Sequence, residues 1–261
     1  MRFRRSRAVP AARSYRVTRD RSGRWHVSFA AIPEPVPGPG TGEIVGIDRG
    51  VVISAALSTG ELLQCPGLRP AEQARFRRLE RKLARARKSS KRRRRVKMAI
   101  AKLKAREGDR RKDWAEKTST SLARRFDVIR VENLRIPSMT RSAHGTLTEP
   151  GRNIRQKARL NRGILASGWG LLARRLEDKA PGRVEKIKPT FTSQRCSACG
   201  HLAADSRKSQ ALFRCAACGY IGNADVNAAR NIAAGHAVSA RGRSPLGERK
   251  NREPQPLSLS A

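Results

Sequence analysis

The sequence predicts an α/β protein, a mixed sheet flanked by helices, with a basic helical hairpin as one insertion and a cysteine-bearing ribbon as another. Three observations point there. Two short β-branched runs, Ile44–Asp48 and Val128–Glu132, each end in a carboxylate. Between them, apolar residues recur at helical spacing in an intensely basic stretch. Near the end stand two C-x-x-C pairs, Cys196 with Cys199 and Cys215 with Cys218, separated by fifteen residues.

Along the chain, residues 1–12 read as a disordered basic arm. Ser14–Arg19 and Arg24–Phe29 alternate polar and apolar around Ser22-Gly23, the pattern of a hairpin. Pro33–Gly42 (PEPVPGPGTG) has linker composition and marks a boundary. Ile44–Asp48, Val51–Leu57 and Glu61–Cys65 then read as three strands of an antiparallel meander, with Ser58-Thr59-Gly60 as the second turn. Pro70 opens a helical stretch in which Phe76, Leu79 and Leu83 share one face, as do Val96, Ile100 and Leu103. Ser89-Ser90 interrupts it, so two helices packed as a hairpin are expected. Val128–Glu132 is a buried strand, 138–152 a mobile loop, and Leu160–Leu176 a helix around Trp169. Val184–Ile187 is a strand leading into the ribbon, and Ala224–Ala234 a short helix with Asp225 in its first turn. The implied units are a basic arm and hairpin at 1–40, a main domain at 43–190 and 222–236 with a helical insertion at 70–125, a ribbon at 191–221 and a disordered tail at 237–261.

Charge narrows the partners. Among 261 residues there are 58 Lys and Arg against 21 Asp and Glu, a formal charge of +37. Such an excess repels itself unless a polyanion neutralises it, so DNA or RNA is expected. A membrane is the weaker partner, because aromatic residues are only 4% of the chain and the basic stretches lack the interleaved Trp, Phe and Leu that interfacial helices bury. No apolar run approaches the roughly 18 residues of a membrane span. The basic N-terminus lacks the apolar core of a signal peptide. Cys65 is left over once four cysteines are paired, which suits a reducing interior, so a cytoplasmic, nucleoid-associated protein is expected.

The cysteine spacing suits one metal. Two-residue spacing lets a tight turn present two thiolates, and the longer gap folds back to complete a tetrahedral set. A lone redox C-x-x-C would not need a second copy at that distance. Cys196, Cys199, Cys215 and Cys218 are therefore read as a structural Zn²⁺ site, closed to chemistry.

From Arg75 to Lys97, fourteen residues are Lys or Arg and only Glu80 is acidic. Like charges at i, i+4 destabilise a helix, so a merely solvated face explains this poorly. A surface for nucleic-acid phosphates explains it better, with Arg75, Arg78, Arg81, Lys82, Arg85, Lys91, Arg92, Arg93, Arg94 and Arg95 as candidate contacts. It would grip without reading sequence.

Three acids stand out by position: Asp48 and Glu132 at strand ends, and Asp225 at the start of the last helix. Singly, a strand-end acid is more often a solvated turn residue, and Asp225 could be a helix cap. Together, in so basic a chain, they suggest divalent cations. Two Mg²⁺ ions can activate water on one side of a phosphate and stabilise the leaving oxygen on the other, and such hard ions take carboxylate oxygens. Three meander strands, helices, a fourth strand, more helix, a fifth strand and a last helix is the order expected of an RNase H-like fold, where strands one and four lie side by side.

The segments GIDRGVVISAALSTG, RRKDWAEKTSTSLARRFDVIRVENL, LNRGILASGWGLLARRLEDKA, TFTSQRCSACG and NADVNAARNI, in that order over about residues 43–235, resemble the C-terminal nuclease half of the OrfB/TnpB proteins of bacterial insertion sequences, relatives of the type V CRISPR effectors. The resemblance implies a RuvC-like nuclease domain with catalytic acids at Asp48, Glu132 and Asp225, a zinc ribbon between the last strand and the last helix, and DNA cutting directed by a guide RNA. Family members normally carry a sizeable N-terminal lobe that grips RNA. This chain is expected to enter near the end of that lobe, with the hairpin of Ser14–Phe29 as its remainder. The reading that follows is a Mg²⁺-dependent DNA endonuclease of the transposase family with two-metal catalysis. Its alternative is a nucleic-acid-binding remnant or regulator with negligible turnover.

Overall fold

The computed structural model describes residues 8–235; the first seven residues of the expected arm and the expected tail at 237–261 lie outside them. The hairpin is present as β1 (Tyr15–Arg19) and β2 (Trp25–Phe29). Asp20 Oδ1 builds its turn by accepting from the amides of Ser22 and Arg24. Next come β3 (Ile44–Asp48), β4 (Ala55–Leu57), β5 (Leu62–Leu63), α1 (Pro70–Arg85), α2 (Lys91–Arg125) and β6 (Val128–Glu132). After them follow α3 (Ile136–Met139), α4 (Ile154–Ala166), α5 (Trp169–Lys179), β7 (Val184–Ile187), β8 (Leu212–Arg214), β9 (Ile221–Asn223) and α6 (Ala224–Ala233).

Five strands form one mixed sheet in the order β5-β4-β3-β6-β7, antiparallel from β5 to β3 and parallel from β3 to β7. Parallel strands need helices on both faces, and alternation of side chains decides which. Val45, Ile47, Ile129 and Val131 point one way, each at most 1% exposed, onto Leu122, Ala123 and Phe126 at the end of α2 and onto Leu172 and Leu176 of α5. The alternate positions, Gly46 among them, face α6. Central strands thus sit between two helical layers, and their ends open at one edge.

α2 has 35 residues, so it is about 50 Å long and serves two surroundings. Ser90 caps it, accepting from the Arg93 amide at 3.1 Å. Its first twenty residues pair with α1, clamped where Arg110 donates twice to Glu72 at 2.6 and 2.8 Å. Its last turns, within the stretch expected as an insertion, lie in the main core through Ala115, Leu122 and Ala123.

Some boundaries differ from expectation. The second strand begins at Ala55, not Val51: the Gly50 carbonyl accepts from the Trp169 indole at 3.1 Å, and Val51 and Val52 find no partner strand. The third keeps only Leu62–Leu63 of the expected Glu61–Cys65. The helix expected at Leu160–Leu176 is two, α4 and α5, broken at Gly168 with φ +76°. Residues 138–152 begin in α3 and are tied to α4, where Asn161 Nδ2 donates to the carbonyls of Thr140 and Arg141. No helix among the described residues is long and apolar enough to cross a membrane.

Candidate active site and cysteine cluster

Asp48 and Glu132 end adjacent parallel strands. The register pairing Ile47 with Val131 carries each acid to the next position on its strand, on the face α6 covers. Gly46 lets that helix lie close: any side chain there would meet the Ala229 carbonyl and the Ala233 backbone. Asp225 stands one turn before Ala229, so the same helix face projects it toward the strand ends. Its Oδ2 is 3.9 Å from where a Cβ on Gly50 would lie. The cap of α6 is Asn223, whose Oδ1 accepts from the amides of Asp225 and Val226 at 2.9 and 3.1 Å. Asp225 is therefore not spent as the cap.

The acids feel one another. Burial pushes the Asp48 carboxyl up, and Glu132 and Asp225 push it further, to about 7, against the pull of Arg207. Burial likewise raises Glu132, opposed by the Thr192 hydroxyl and Arg49. Two of the three have side-chain partners. Thr192 Oγ1 donates to Glu132 Oε1 at 2.8 Å, and Arg207 Nη2, from the ribbon, donates to Asp225 Oδ1 at 2.9 Å. Arg49, only 7% exposed, donates to the Glu132 carbonyl.

The cysteines are drawn tighter. Among the described residues they alone form a group of three or more candidate ligands whose atoms all lie within 4.8 Å of one another. Each pair sits in the same turn: Gly200 and Gly219, at φ +76° and +73°, donate to the carbonyls of Cys196 and Cys215 at 2.9 and 3.2 Å. Cys196 and Cys215 Sγ lie 3.8 and 3.6 Å from Cys218 and Cys199 Sγ respectively. A tetrahedral site with Zn–S bonds near 2.3 Å needs edges of about 3.8 Å, so the donor set fits a zinc ion. The Cys218 amide lowers Cys215 to about 6. Although the His201 amide favours its thiolate, Cys199 is pushed up to about 12 by desolvation and the neighbouring cysteines. All four become thiolates together only with a cation between them.

Of the ten candidate phosphate contacts on α1 and α2, nine are exposed and Arg93 is half-buried. Its guanidinium donates to the carbonyls of Leu83 and Ala86 at 2.7 and 3.2 Å, closing the end of α1. Arg75, Arg94 and Arg95 line a cleft of about 440 Å³ together with Lys102 and Arg106. Those last two were absent from the candidates, although they follow Arg95 at seven and eleven residues, on one helical face. Arg49, Thr192 and Arg207 were absent too. Arg49 adjoins Asp48 in sequence, but nothing local marks the others.

Residues 13–143 match the OrfB_IS605 model, described as "Probable transposase", and residues 169–232 match the Cas12f1-like TNB domain. The chain is thus of a transposon-encoded kind. It belongs to the OrfB/TnpB family. Over 247 residues it is 39% identical to an Escherichia coli (strain K12) protein provisionally named RNA-guided DNA endonuclease InsQ, covering 93% of this chain and 61% of that one. A Streptomyces pristinaespiralis protein provisionally named RNA-guided DNA endonuclease is 35% identical over 231 residues, 87% of this chain and 54% of that one. The chain therefore spans between half and two-thirds of the length of these relatives. A solved Cas12f1–sgRNA–target DNA complex is 25% identical with a TM-score of 0.41, over 83% of this chain and 55% of that one.

Proposed function

We propose that this chain is a metal-dependent DNA endonuclease with Asp48, Glu132 and Asp225 as its catalytic acids, on an RNase H-like, RuvC-type sheet. The observation that carries the reading is the gathering of three chain-distant carboxylates at one edge of the central strands, with Asp48 driven up to about 7. A divalent cation relieves such crowding, and carboxylate oxygens are the donors Mg²⁺ takes. Two Mg²⁺ ions bound there would supply an activated water and stabilise the leaving oxygen of a phosphodiester. The chain's own part is placement. The two strands present Asp48 and Glu132, α6 brings Asp225 to them, and Arg207 neutralises Asp225 while no cation does.

The four cysteines are read as a structural Zn²⁺ site, since four thiolates leave no open position. The exposed cations of α1 and α2 are read as the grip on phosphates. DNA as substrate and an RNA as guide are suggested by the names of the relatives. The test is cleavage of single- and double-stranded DNA with Mg²⁺ and any co-purifying RNA, wild type beside Asp48→Ala. Loss of cutting with DNA binding retained supports the reading. Equal cutting by both proteins sinks it, and binding without cutting under any divalent cation leaves a nucleic-acid-binding regulator.

A further inference from the structure

Glu132 is 8% exposed, and its carboxylate receives a hydroxyl hydrogen bond from Thr192, itself 5% exposed. Thr192 belongs to neither strand of that pair. It precedes Cys196 by four residues, in the segment that enters the first cysteine turn. That segment is gripped from α6. Asn231 Nδ2 donates to the carbonyls of Thr192 and Arg195 at 2.9 and 2.7 Å. Asn227 Nδ2 donates to the Arg195 carbonyl at 2.7 Å, while its Oδ1 accepts from the Ser197 amide at 2.9 Å. Both asparagines are at most 1% exposed and lie four apart, one stripe of the helix. The neighbouring stripe, Asp225, Ala229 and Ala233, faces β3. One helix therefore delivers Asp225 with one face and, with the next, holds the residue that holds Glu132.

We infer that Thr192 is a positioning residue for Glu132: its hydroxyl fixes one carboxylate oxygen and leaves the other to a cation, and α6 locks Thr192 in that place. The inference rests on the nuclease reading above. A buried carboxylate without this bond can turn about its last torsion, so the oxygen offered to a cation is no longer held in one direction. Partners that orient metal-binding carboxylates are commonly worth ten- to hundredfold in metal affinity.

Mn²⁺ binding to the full chain, followed by electron paramagnetic resonance well below the melting temperature, tests this with Thr192→Val, Thr192→Ser and Glu132→Ala. Valine keeps the shape and loses the hydroxyl; serine keeps the hydroxyl. Thr192→Val is expected to weaken Mn²⁺ binding roughly ten- to hundredfold, and Thr192→Ser to stay within about threefold of wild type. If Glu132→Ala weakens binding and Thr192→Val does not, Thr192 has no positioning role and the acid site stands without it. If serine is as poor as valine, the methyl matters and the hydroxyl does not, which also overturns the inference. Wild-type affinity in Glu132→Ala would instead remove the acid site itself, and the positioning role with it.

Discussion

The cysteine cluster and the carboxylate cluster differ in how far their ligands travel. The cysteines come from two copies of one five-residue turn, each closed by its own backbone hydrogen bonds, and their sulfurs already lie within 4.8 Å of one another. The acids come from β3, β6 and α6, separated by most of the chain, and do not reach that spacing. Local turns preform a closed site. Packing of a helix on a sheet forms an open one, whose charges repel and are held by Thr192 and Arg207. On the proposed function, the closed set holds the fold and the crowded open set takes the cation.

The largest effect is expected at the closed site. Cys215 is 3% exposed beside Phe213 in the ribbon's own small core. Cys215→Ser should abolish bound zinc, measured by atomic absorption, and lower thermal stability by several kcal/mol or more, because metal affinity is folding free energy in such units. Cys65→Ser should change neither. Full zinc content in Cys215→Ser would show that the cluster is not the site.

At the open site the expected effect follows pH. The folded Asp48 carboxyl is raised to about 7, above its unfolded value, so the folded state holds this proton more tightly. Without divalent cation, the contribution of Asp48 to stability should be fully present below about pH 4, fall as pH rises toward 7, and level off above it, by at most about 4 kcal/mol. Asp48→Asn removes that fall. Urea unfolding of both proteins at pH 5 and pH 8 reads it out, and parallel profiles would mean Asp48 ionises without hindrance.

Gly46→Ala tests what brings the open site together. A methyl there meets the Ala229 carbonyl, so α6 must back away and carry Asp225 with it. A loss of roughly 1–3 kcal/mol is expected, with a larger fractional loss of Mg²⁺-dependent cutting. A variant that is destabilised but cuts normally would detach Asp225 from the reaction.

Much of both candidate sites is legible in the sequence because their signals are local. Two C-x-x-C turns carry their own spacing, and a β-branched run ending in an acid announces where a central strand stops. The break at Gly168 was hidden because apolar residues keep helical spacing through Ile164, Leu172 and Leu176 on either side of it. Thr192 and Arg207 were hidden for a different reason: their partners lie 60 and 18 residues away, and only the packing of the ribbon on the sheet brings them there. Arg93 could not be told from its neighbours in the run Arg92 to Arg95, since which arginine caps α1 depends on how the two helices turn.

That arginine run repeats the contrast on a smaller scale. Arg93 is closed, its guanidinium spent on the last carbonyls of α1, while Arg94 and Arg95 are exposed along a cleft with Lys102 and Arg106. Arg93→Ala should therefore cost stability, about 1 kcal/mol, and leave the salt dependence of DNA binding nearly intact. Replacing Arg94 and Arg95 together by alanine should do the reverse. Stability should stay within about 0.5 kcal/mol, and the slope of log affinity against log salt should become shallower by about 1.8 if each releases one counterion from duplex DNA. The dissociation is the point. If Arg93→Ala flattens the slope as much as the other two, the cap is incidental and the whole run grips phosphate. If the double variant leaves the slope unchanged, the cleft does not meet the backbone at all, and the density of charge on this hairpin has another cause.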